Sequence, residues 1–474
     1  MPDHESEINR LWELADFESL TSMPLIPSNS AEENIIKEAQ AAIRLLNDPS
    51  LGKSATGRRM VVDEKFKTVT ILHSSLPLHP GGYSNRAQGL LQGISKLGVS
   101  LSVYTRPGFY RERAGSDARL PYPVHVVEDI KYHHLADNFR RGGGEFQYME
   151  SCIEIYKQVL CKERPNVLHV RSTFLIALPA IIAAKSLNIP VVYEVSGLWE
   201  LVYEGRGEFG RSNRAARMEN SAVLSATRTV TMNTAMAELL KKRIGLPIEI
   251  GIVPNAVDLT KFSGLPSWEE QQDKFDLGYI GSLVDYEGLD TLLLAISHLR
   301  TQGFSFSTKI VGKGKELRLL KEMSKSLGID DLVTFTGPVP ADQVQQHFAQ
   351  IRTIVLPRRS TPATECVTPL KPFEAMAAKR ALITSDVSAL RELSRNGKAT
   401  TVFKQGDHIA LADAIVDLEQ NPEQRESQVD TAFEIVKNYN SWDNIGQIME
   451  TELRQNARAE YWFTARRSNP NQGN

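Results

Sequence analysis

The sequence predicts an α/β protein with two successive β/α/β domains behind an N-terminal helical extension. From Lys67 onwards, short apolar runs of strand character alternate with segments of helical apolar spacing. A strand, a glycine loop and a helix follow one another twice, first around Gly81 and again around Gly281. The polar stretch 263–272 separates the two halves, and the β/α pattern restarts beyond it.

Composition narrows the class of protein. The 474 residues allow two or three domains at ~150 residues per domain. Charged residues make up 24% and hydrophobic residues 41%, as in ordinary globular proteins. The net charge of −2 argues against an extended nucleic-acid surface, so no nucleic-acid partner is expected.

Cysteine usage and the termini indicate a compartment. Cys152, Cys161 and Cys366 form no CxxC motif and no Cys/His cluster, which fits a reducing compartment and no structural zinc. The first ten residues are polar and contain no signal-peptide core. No window contains about 18 uninterrupted apolar residues. The sequence therefore predicts a cytoplasmic protein without a transmembrane helix.

Four segments are predicted. Residues 1–66 form a helical or partly disordered extension, and 67–262 form the first β/α/β domain. Residues 273–440 form the second domain, and 441–466 form C-terminal helices that return to the first.

The first domain opens with a strand over Thr68–His73, a loop containing Gly81 and Gly82, and a helix from Ser84 to about 97. Such a unit predicts a parallel sheet with a right-handed crossover. The glycine pair follows a strand, where ligands bind in open α/β sheets. A Gly-Gly pair is equally compatible with a simple turn.

Polar residues also follow later strands of this domain. His169 and Arg171 end the strand Val167–Arg171, and Glu194 and Glu200 follow along the next strand and its loop. Together these side chains could line one crevice. For His169 alone, a structural histidine with satisfied hydrogen bonds is an equally good interpretation.

The second domain contains the stretch Glu365–Arg380, which predicts a loop leading into a helix. Prolines at 369 and 372 suit a helix N-terminus. Glu374 falls in the first turn, where the helix dipole favours a carboxylate. Lys371 precedes free backbone N–H groups, a combination that can hold an anion such as a diphosphate. A capped helix beside one solvated lysine is the alternative.

Several motifs in order across the chain carry a family resemblance. They are the Gly81-Gly82 loop, Val253-Pro-Asn-Ala-Val-Asp258, Gly281 leading to Tyr-Glu-Gly-Leu-Asp290, Ile310-Val-Gly-Lys-Gly314, Thr336-Gly-Pro-Val339 and Pro369-Leu-Lys-Pro-Phe-Glu-Ala-Met-Ala377. The chain from about Thr68 to Arg454 resembles the retaining glycosyltransferases of family 4, the group 1 class. The resemblance implies the GT-B fold, in which two Rossmann-like domains face each other across a ligand-binding cleft.

The resemblance implies a hexosyl- or related transferase. Such an enzyme moves a sugar from a nucleotide diphosphate sugar to an acceptor hydroxyl with retention of anomeric configuration. The setting would be polysaccharide, glycolipid or glycoconjugate synthesis. The family generally needs no metal, and no cofactor is expected. The acceptor would be a carbohydrate, a lipid-linked molecule or another hydroxyl compound. Peripheral contact with the inner membrane face through the loop of Arg140 and Arg141 stays open.

Residue roles also follow from the resemblance. Glu374 would hold the ribose hydroxyls of the donor, and Gly312 and the turn up to Val339 would border its base. Gly81 and Gly82 would let the backbone approach the donor phosphates or sugar. His169 or Arg171 would face the transferred sugar as catalytic residues, together with Lys371. The remaining predicted donor-binding residues are Ser282, Arg358, Glu365 and Thr368.

The sequence also departs from the family pattern. The family usually has two glutamates separated by seven residues, but counting back from Glu374 leads to Cys366, and Glu365 misses the position by one. Its usual Arg and Lys in the first loop of the second domain are replaced by Ser282 and Glu287. We therefore expect Lys371, with Arg358 or Arg359, to neutralise the diphosphate. We also expect Glu365 to contact the donor sugar in place of the missing glutamate.

Three alternatives remain open. The same fold could serve a nucleotide-sugar epimerase or a phosphorylase, although no lysine-bearing cofactor signature is present for the latter. The lost basic pair and the displaced glutamate also fit a catalytically silent sugar-nucleotide binding or scaffold protein. The donor base, the donor sugar and the acceptor are not determined by the sequence.

Overall fold

The computed structural model describes residues 6–53, 65–136, 144–340, 343–394 and 397–467. The chain divides into two compact units. Unit 1 comprises Met1–Val253 and Gly446–Asn474, and unit 2 comprises Pro254–Ile445.

Unit 1 begins with three helices, α1 (Glu7–Glu13), α2 (Phe17–Ser22) and α3 (Ser30–Leu46). Asn29 caps α3 by accepting hydrogen bonds from the first free N–H groups of that helix. Apolar side chains on one face of each helix, such as Phe17, are fully buried. The predicted extension is therefore helical over 6–46 and packed into unit 1, while residues 54–64 lie outside the described part of the chain.

An eight-stranded sheet follows in unit 1, in the order β3-β4-β2-β1-β5-β6-β7-β8. Its strands are β1 (Lys67–Leu72), β2 (Ser100–Thr105), β3 (His125–Val127), β4 (Ile130–His134), β5 (Val167–Arg171), β6 (Val191–Val195), β7 (Arg228–Thr231) and β8 (Ile250–Ile252). The pairs are parallel except β3 with β4. Central strands such as β5 and β6 are buried at every position, as parallel strands covered by helices on both faces must be.

Seven helices connect these strands. They are α4 (Gly82–Lys96), α5 (Phe109–Ala114), α6 (Glu145–Glu163), α7 (Phe174–Ser186), α8 (Trp199–Glu204), α9 (Phe209–Ser225) and α10 (Thr234–Ile244). The helix predicted from Ser84 begins two residues earlier, at Gly82, so the glycine pair spans its N-cap and first turn. Between α5 and α6 the chain forms an antiparallel pair of strands, β3 and β4.

Unit 2 contains a six-stranded sheet in which all strand pairs are parallel, in the order β11-β10-β9-β12-β13-β14. Its strands are β9 (Phe275–Ile280), β10 (Thr308–Val311), β11 (Val333–Gly337), β12 (Ile351–Leu356), β13 (Ala381–Ser385) and β14 (Thr401–Phe403). Its helices are α11 (Leu289–Thr301), α12 (Leu317–Ser326), α13 (Val344–Gln350), α14 (Pro362–Cys366), α15 (Lys371–Ala377), α16 (Ser388–Arg391), α17 (His408–Gln420) and α18 (Pro422–Tyr439). One apolar core joins β9, β10, β12 and β13 to the helices around them.

The last helix, α19 (Trp442–Arg467), begins in unit 2, and its residues from Gly446 onward belong to unit 1. In unit 1 the side chain of Glu452 pairs with Arg228 at the start of β7, with 3.0 Å between Nε and Oε2. The stretch 263–272, predicted as a linker, lies within unit 2, where Trp268 donates a hydrogen bond to the Phe275 carbonyl at 3.0 Å. Two parallel sheets flanked by helices confirm the predicted α/β class with its helical N-terminus.

Candidate functional site

The carboxyl end of the unit 2 sheet is built from closely stacked glycine loops. Gly312 has φ +140°, and a Cβ there would lie 1.8 Å from the Gly281 carbonyl oxygen. A Cβ at Gly281, where φ is +155°, would lie 2.2 Å from Cε of Lys371. The Gly312 N–H donates to the Gly337 carbonyl at 2.9 Å. Because no larger residue fits, backbone groups and one lysine form the floor of this edge.

Lys371 is the first residue of α15, and its charge is paired. Its Nζ lies 2.6 Å from Oε1 of Glu287 and 5.0 Å from the ring centre of Tyr279. Burial lowers the pKa of Lys371, and Glu287 opposes that shift. Burial acts to raise the pKa of Glu287, but the charges of Lys371 and Arg358 outweigh it and leave that pKa below its usual value. The lysine predicted to meet a diphosphate therefore already has a carboxylate partner.

Arg358 and Arg359 follow β12 and differ in their partners. Arg358 is 7% exposed, donates to the Val367 carbonyl at 2.8 Å, and has no hydrogen-bond partner for Nε among the described residues. Arg359 pairs with Asp285 at 2.6 Å and also with Asp290. Arg359 is thus neutralised, whereas Arg358 forms no ion pair with a carboxylate among the described residues, and Lys371 is paired with Glu287.

Glu374 lies in the first turn of α15 and is half-buried. Within the described ranges, its carboxylate accepts no hydrogen bond and forms no ion pair with the protein. Burial raises its pKa, although Lys371 and Lys261 act in the opposite direction. A carboxylate held this way can accept hydrogen bonds from ligand hydroxyls without giving up contacts within the protein.

Glu365 and Thr368 already have protein partners. Glu365 lies in α14, one residue before its end, and its Oε2 accepts a hydrogen bond from the Ser388 backbone N–H at 2.8 Å. Burial acts to raise the pKa of Glu365, but hydrogen bonds from Ser360 and Ser388 outweigh it and leave that pKa below its usual value. Thr368 is buried, and its carbonyl accepts from Asn255 at 2.6 Å. Glu365 therefore ties α14 to the start of α16, and its predicted contact with a donor sugar stays a prediction.

The other predicted residues of unit 2 lie at the same edge. The side chain of Ser282 is exposed, and its carbonyl accepts from the Tyr279 hydroxyl at 2.9 Å. Val339 follows β11 and packs, half-buried, against the unit 2 core. The loops after β9, β10, β11 and β12 thus place Ser282, Gly312, Val339 and Arg358 around one end of the sheet, as the sequence predicted.

In unit 1, Gly81 and Gly82 form an open helix start. Gly81 caps α4 without a side-chain hydrogen bond. A Cβ at either glycine would meet no atom within 4 Å, so the surrounding protein does not require glycine there. Both residues are exposed. Their backbone N–H groups are among the first N–H groups of α4, which have no partner within the helix. The positive end of the helix dipole lies at the same place.

His169 and Arg171 do not reach solvent, which corrects their predicted role. Both side chains are 0% exposed, and Glu194 holds both, at 3.1 Å from His169 Nε2 and 2.9 Å from Arg171 Nε. Burial lowers the pKa of His169. Neither side chain can touch a sugar in this structure, because the strands that carry them lie inside the sheet. The buried position of His169 and its contact with Glu194 agree with the alternative interpretation, a structural histidine.

Arg86, which was not predicted as a site residue, completes this cluster. Arg86 lies on the buried face of α4, and its Nε is 2.9 Å from Oε1 of Glu194. It also donates to the Val253 carbonyl at 2.7 Å. Arg171 stacks on Tyr83, with 4.6 Å from Cζ to the ring centre. A fixed charged cluster therefore lies beneath the first turn of α4. An arginine among apolar helix positions was the one signal that could have revealed it.

The described residues contain neither a cluster of metal-ligating side chains nor a membrane-spanning helix. No group of three or more His, Cys, Asp or Glu side chains in that part of the chain could hold a metal ion. No described helix is both long and apolar enough to cross a membrane. The loop of Arg140 and Arg141, considered for membrane contact, lies outside the described residues.

Comparison with protein families gave two matches that follow one another along the chain. Residues 80–261 match the model described as Glycosyltransferase Family 4. Residues 265–434 match the model described as Glycosyl transferases group 1. The first match covers most of unit 1 after its N-terminal helices, and the second covers most of unit 2.

Curated relatives are distant. The chain is 28% identical over 179 residues to a GDP-mannose-dependent alpha-(1-6)-phosphatidylinositol monomannoside mannosyltransferase of Mycolicibacterium smegmatis, covering 36% of this chain and 47% of the relative. It is 22% identical over 260 residues to a glycogen synthase of Mycobacterium tuberculosis, covering 55% and 61%. The aligned part thus spans about half the length of the first of these relatives.

Solved structures resemble the whole architecture. A sucrose-phosphate synthase from Thermosynechococcus elongatus superposes with a TM-score of 0.68 at 16% identity, covering 83% of this chain and 100% of that one. HepE of Anabaena in complex with UDP gives a TM-score of 0.64 at 16% identity, covering 82% and 100%. At such identities the likeness establishes the fold, and it confirms the predicted GT-B class.

Proposed function

Because the chain belongs to the family 4, group 1 glycosyltransferases, we propose that it transfers a sugar from a nucleotide diphosphate sugar to an acceptor hydroxyl. We further propose that the anomeric configuration is retained and that the product is a polysaccharide, glycolipid or other glycoconjugate. The relatives named as a mannosyltransferase and a glycogen synthase, and the neighbour solved with UDP, support a nucleotide-sugar donor.

The observation that carries this proposal is the Glu374 carboxylate. It lies at the carboxyl end of a parallel sheet, where α/β folds bind ligands. No protein group of the described residues bonds to it, and burial raises its pKa. A ribose with two adjacent hydroxyls would supply the donors that this carboxylate lacks.

The diphosphate would lie beside the Lys371–Glu287–Arg358 cluster. The side chains of Lys371 and Arg358 provide fixed positive charges for a developing anion, and Glu287 offsets part of the charge of Lys371. Gly281 and Gly312 let the loops after β9 and β10 pack against each other and against Lys371, because nothing larger fits at either position. In unit 1, the first-turn N–H groups of α4 at Gly81 and Gly82 form a helix start that favours an anion such as a phosphate.

The buried cluster of unit 1 would not contact the substrate and would instead hold the first turn of α4 in place. Arg86, Arg171 and Glu194 fix the first turn of α4 from below, since Arg171 donates to the Tyr83 carbonyl at 3.1 Å. Two arginines and one carboxylate leave a positive charge under that helix start when His169 is neutral. We expect this charge to favour an anion at Gly81 and Gly82, without contact between the arginines and the substrate.

Location and partners belong to the same proposal. The acceptor would be a carbohydrate, a lipid-linked molecule or another hydroxyl compound, and the site would be cytoplasmic, with or without contact to the inner membrane face. No metal and no cofactor are proposed, because the family resemblance implies none.

One specific observation supports a second candidate, a catalytically silent sugar-nucleotide binding protein. Lys371 is paired with Glu287 at 2.6 Å, so the diphosphate would meet less positive charge than two free cations would provide. Such pairing weakens the electrostatic stabilisation of the leaving diphosphate, on which the rate of transfer depends.

The test begins with a thermal-shift screen of nucleoside diphosphates and their sugars, since a ligand that binds only the folded chain raises its melting temperature. The nucleotide sugar selected in this way is then incubated with the protein and candidate acceptors. We expect release of nucleoside diphosphate and an α- or β-glycoside of the same anomeric configuration as the donor. Binding without any release would favour the silent protein, and conversion of the donor without release would favour an epimerase.

A further inference from the structure

A cavity of about 870 Å³ lies at the opposite edge of the unit 2 sheet from Glu374. It opens beside Arg352 and Ala381, which are near the amino ends of β12 and β13. The stretch 263–269 and one face of α18 complete its wall. Its volume lies within the range of about 300–1,000 Å³ that is usual for small-molecule sites. Nothing in the proposed transfer reaction uses this cavity.

The cavity contains a buried cation without a carboxylate partner. Arg380 is 7% exposed, and its Nη2 donates a hydrogen bond to the Pro266 carbonyl at 3.1 Å. Its Nε has no hydrogen-bond partner among the described residues. Burial lowers the pKa of Arg380, while the charge of Glu269 opposes that shift without forming an ion pair. A buried guanidinium normally has a paired anion, because desolvating an isolated charge is costly.

Two other arginines of the wall are balanced within the protein. Arg352 lies 2.7 Å from both Asp276 and Glu419, and Arg425 lies 3.2 Å from Glu419. Lys379 and the carboxylates that line the cavity, Glu269, Glu426 and Asp430, are exposed. Among the described residues, Arg380 is therefore a buried lining cation without an ion pair.

Aromatic and apolar faces surround this charge. The Arg352 guanidinium lies 4.4 Å from the Trp268 ring centre, and Lys379 Nζ lies 4.5 Å from the Phe433 ring centre. Phe262, Leu265 and Val429 also line the cavity. Such walls accept a planar or apolar body, while one convergent polar group fixes its orientation.

We propose that this cavity is a second ligand site, separate from the donor edge, for a small organic anion. The ligand has one phosphate or carboxylate group that pairs with Arg380 and an aromatic or apolar body that packs between Trp268 and Phe433. A guanidinium can bind either group with two parallel hydrogen bonds.

Phenyl phosphate and benzoate are the probes, titrated into the full-length chain by calorimetry. We expect one saturable site per chain for at least one probe, and the difference between the two identifies the preferred anionic group. Arg380→Gln should weaken binding at least ten-fold, because it removes the buried lining cation that has no ion pair among the described residues. Arg318→Gln, a highly exposed arginine on α12, is the matched control and should leave binding unchanged.

Two further variants keep the proposal testable if Arg380→Gln does not fold. Lys379→Gly removes a rim cation at a residue with φ +53°, where glycine is favoured, and should weaken binding several-fold while the melting temperature holds or rises. Glu374→Gln alters only the donor edge and should not change binding of either probe. Absence of saturable binding, equal binding by wild type and Arg380→Gln or Lys379→Gly, or loss through Glu374→Gln would overturn the proposal. None of these outcomes decides whether the chain transfers sugars.

Discussion

The two units each gather charged side chains at the strand ends of a parallel sheet, but with opposite exposure. In unit 1, Arg86, Arg171, Glu194 and His169 are at most 3% exposed, and Glu194 contacts the other three. In unit 2, Glu374 is half-buried and has no partner in the described part of the chain. The unit 1 cluster stabilises a helix start, whereas the unit 2 edge has groups left over for a ligand. The residue type at a strand end therefore does not identify a binding residue. A side-chain atom that is accessible and has no protein partner is the better indicator.

The largest effect is expected from breaking the unit 1 cluster. Glu194→Gln leaves Arg86 and Arg171 buried without their carboxylate, which typically costs about 3–5 kcal/mol. Urea unfolding followed by circular dichroism measures the loss. Glu18→Gln is the control, because the exposed pair of Glu18 with Arg217 should contribute at most about 1 kcal/mol. Equal effects of the two substitutions would show that the buried cluster does not hold unit 1 together.

The next effect separates stability from ligand binding at Lys371. Lys371→Met leaves Glu287 buried and unpaired, and we expect a loss of about 2–4 kcal/mol in unfolding free energy together with weaker nucleoside diphosphate binding. Adding Glu287→Gln should restore much of the stability but not the binding. Unfolding curves and calorimetric titrations of both single variants and the double variant form the test. Recovery of binding in the double variant would assign Lys371 a purely structural role.

A smaller effect concerns the acid stability of unit 1. Burial, with the charges of Arg106 and His79, lowers the pKa of His73 to about 3. Below its ordinary pKa of about 6.5, the unfolded chain takes up a proton that the folded chain does not, so stability falls as the pH falls. Between pH 7 and pH 5 this residue accounts for up to about 2 kcal/mol of the loss.

His73→Phe tests that assignment, because phenylalanine keeps a ring against Trp199, whose centre lies 5.5 Å away. Urea unfolding at pH 7 and pH 5 should show a smaller drop in the variant than in the wild type. Parallel slopes for the two proteins would mean that His73 is not the group that takes up the proton.

The smallest effect is expected at Glu365. Its carboxylate is engaged by Ser360 and Ser388 at an exposed loop, so Glu365→Gln should change unfolding free energy by less than about 1 kcal/mol. The donor-sugar contact predicted for this residue requires donor turnover, measured as nucleoside diphosphate release, to fall in the variant. Turnover equal to that of wild type would remove the predicted contact.

Local patterns predicted much of the fold. Buried runs such as Val191–Val195 and the glycine loops define the two sheets, because strand and helix periodicity are properties of short windows. The short strand Ile130–His134 was missed, since lysine and histidine interrupt its apolar pattern. The extra turn of helix at Gly82 was missed because glycine is a weak helix former.

The site could be predicted only in part. The position of Glu374 in the first turn of a helix follows from nearby prolines, and the structure agrees. The pairing of Lys371 with Glu287, and the burial of His169 and Arg171, depend on contacts between segments far apart in the chain. No local pattern encodes such contacts. The sequence analysis therefore identified these residues but did not predict which side chains they pair with.

The central claim is that Glu374 at the open edge of unit 2 binds the ribose of a nucleotide donor. Calorimetric titration of the nucleoside diphosphate selected by the thermal-shift screen, into wild type and Glu374→Gln, tests it most directly. We predict weaker binding by the variant, by about 1.5–3 kcal/mol, or roughly ten- to a hundred-fold, with unfolding free energy unchanged. The matching deoxynucleotide, which lacks one ribose hydroxyl, should lose less affinity through the substitution. Equal affinity of wild type and Glu374→Gln for the nucleoside diphosphate would contradict the claim.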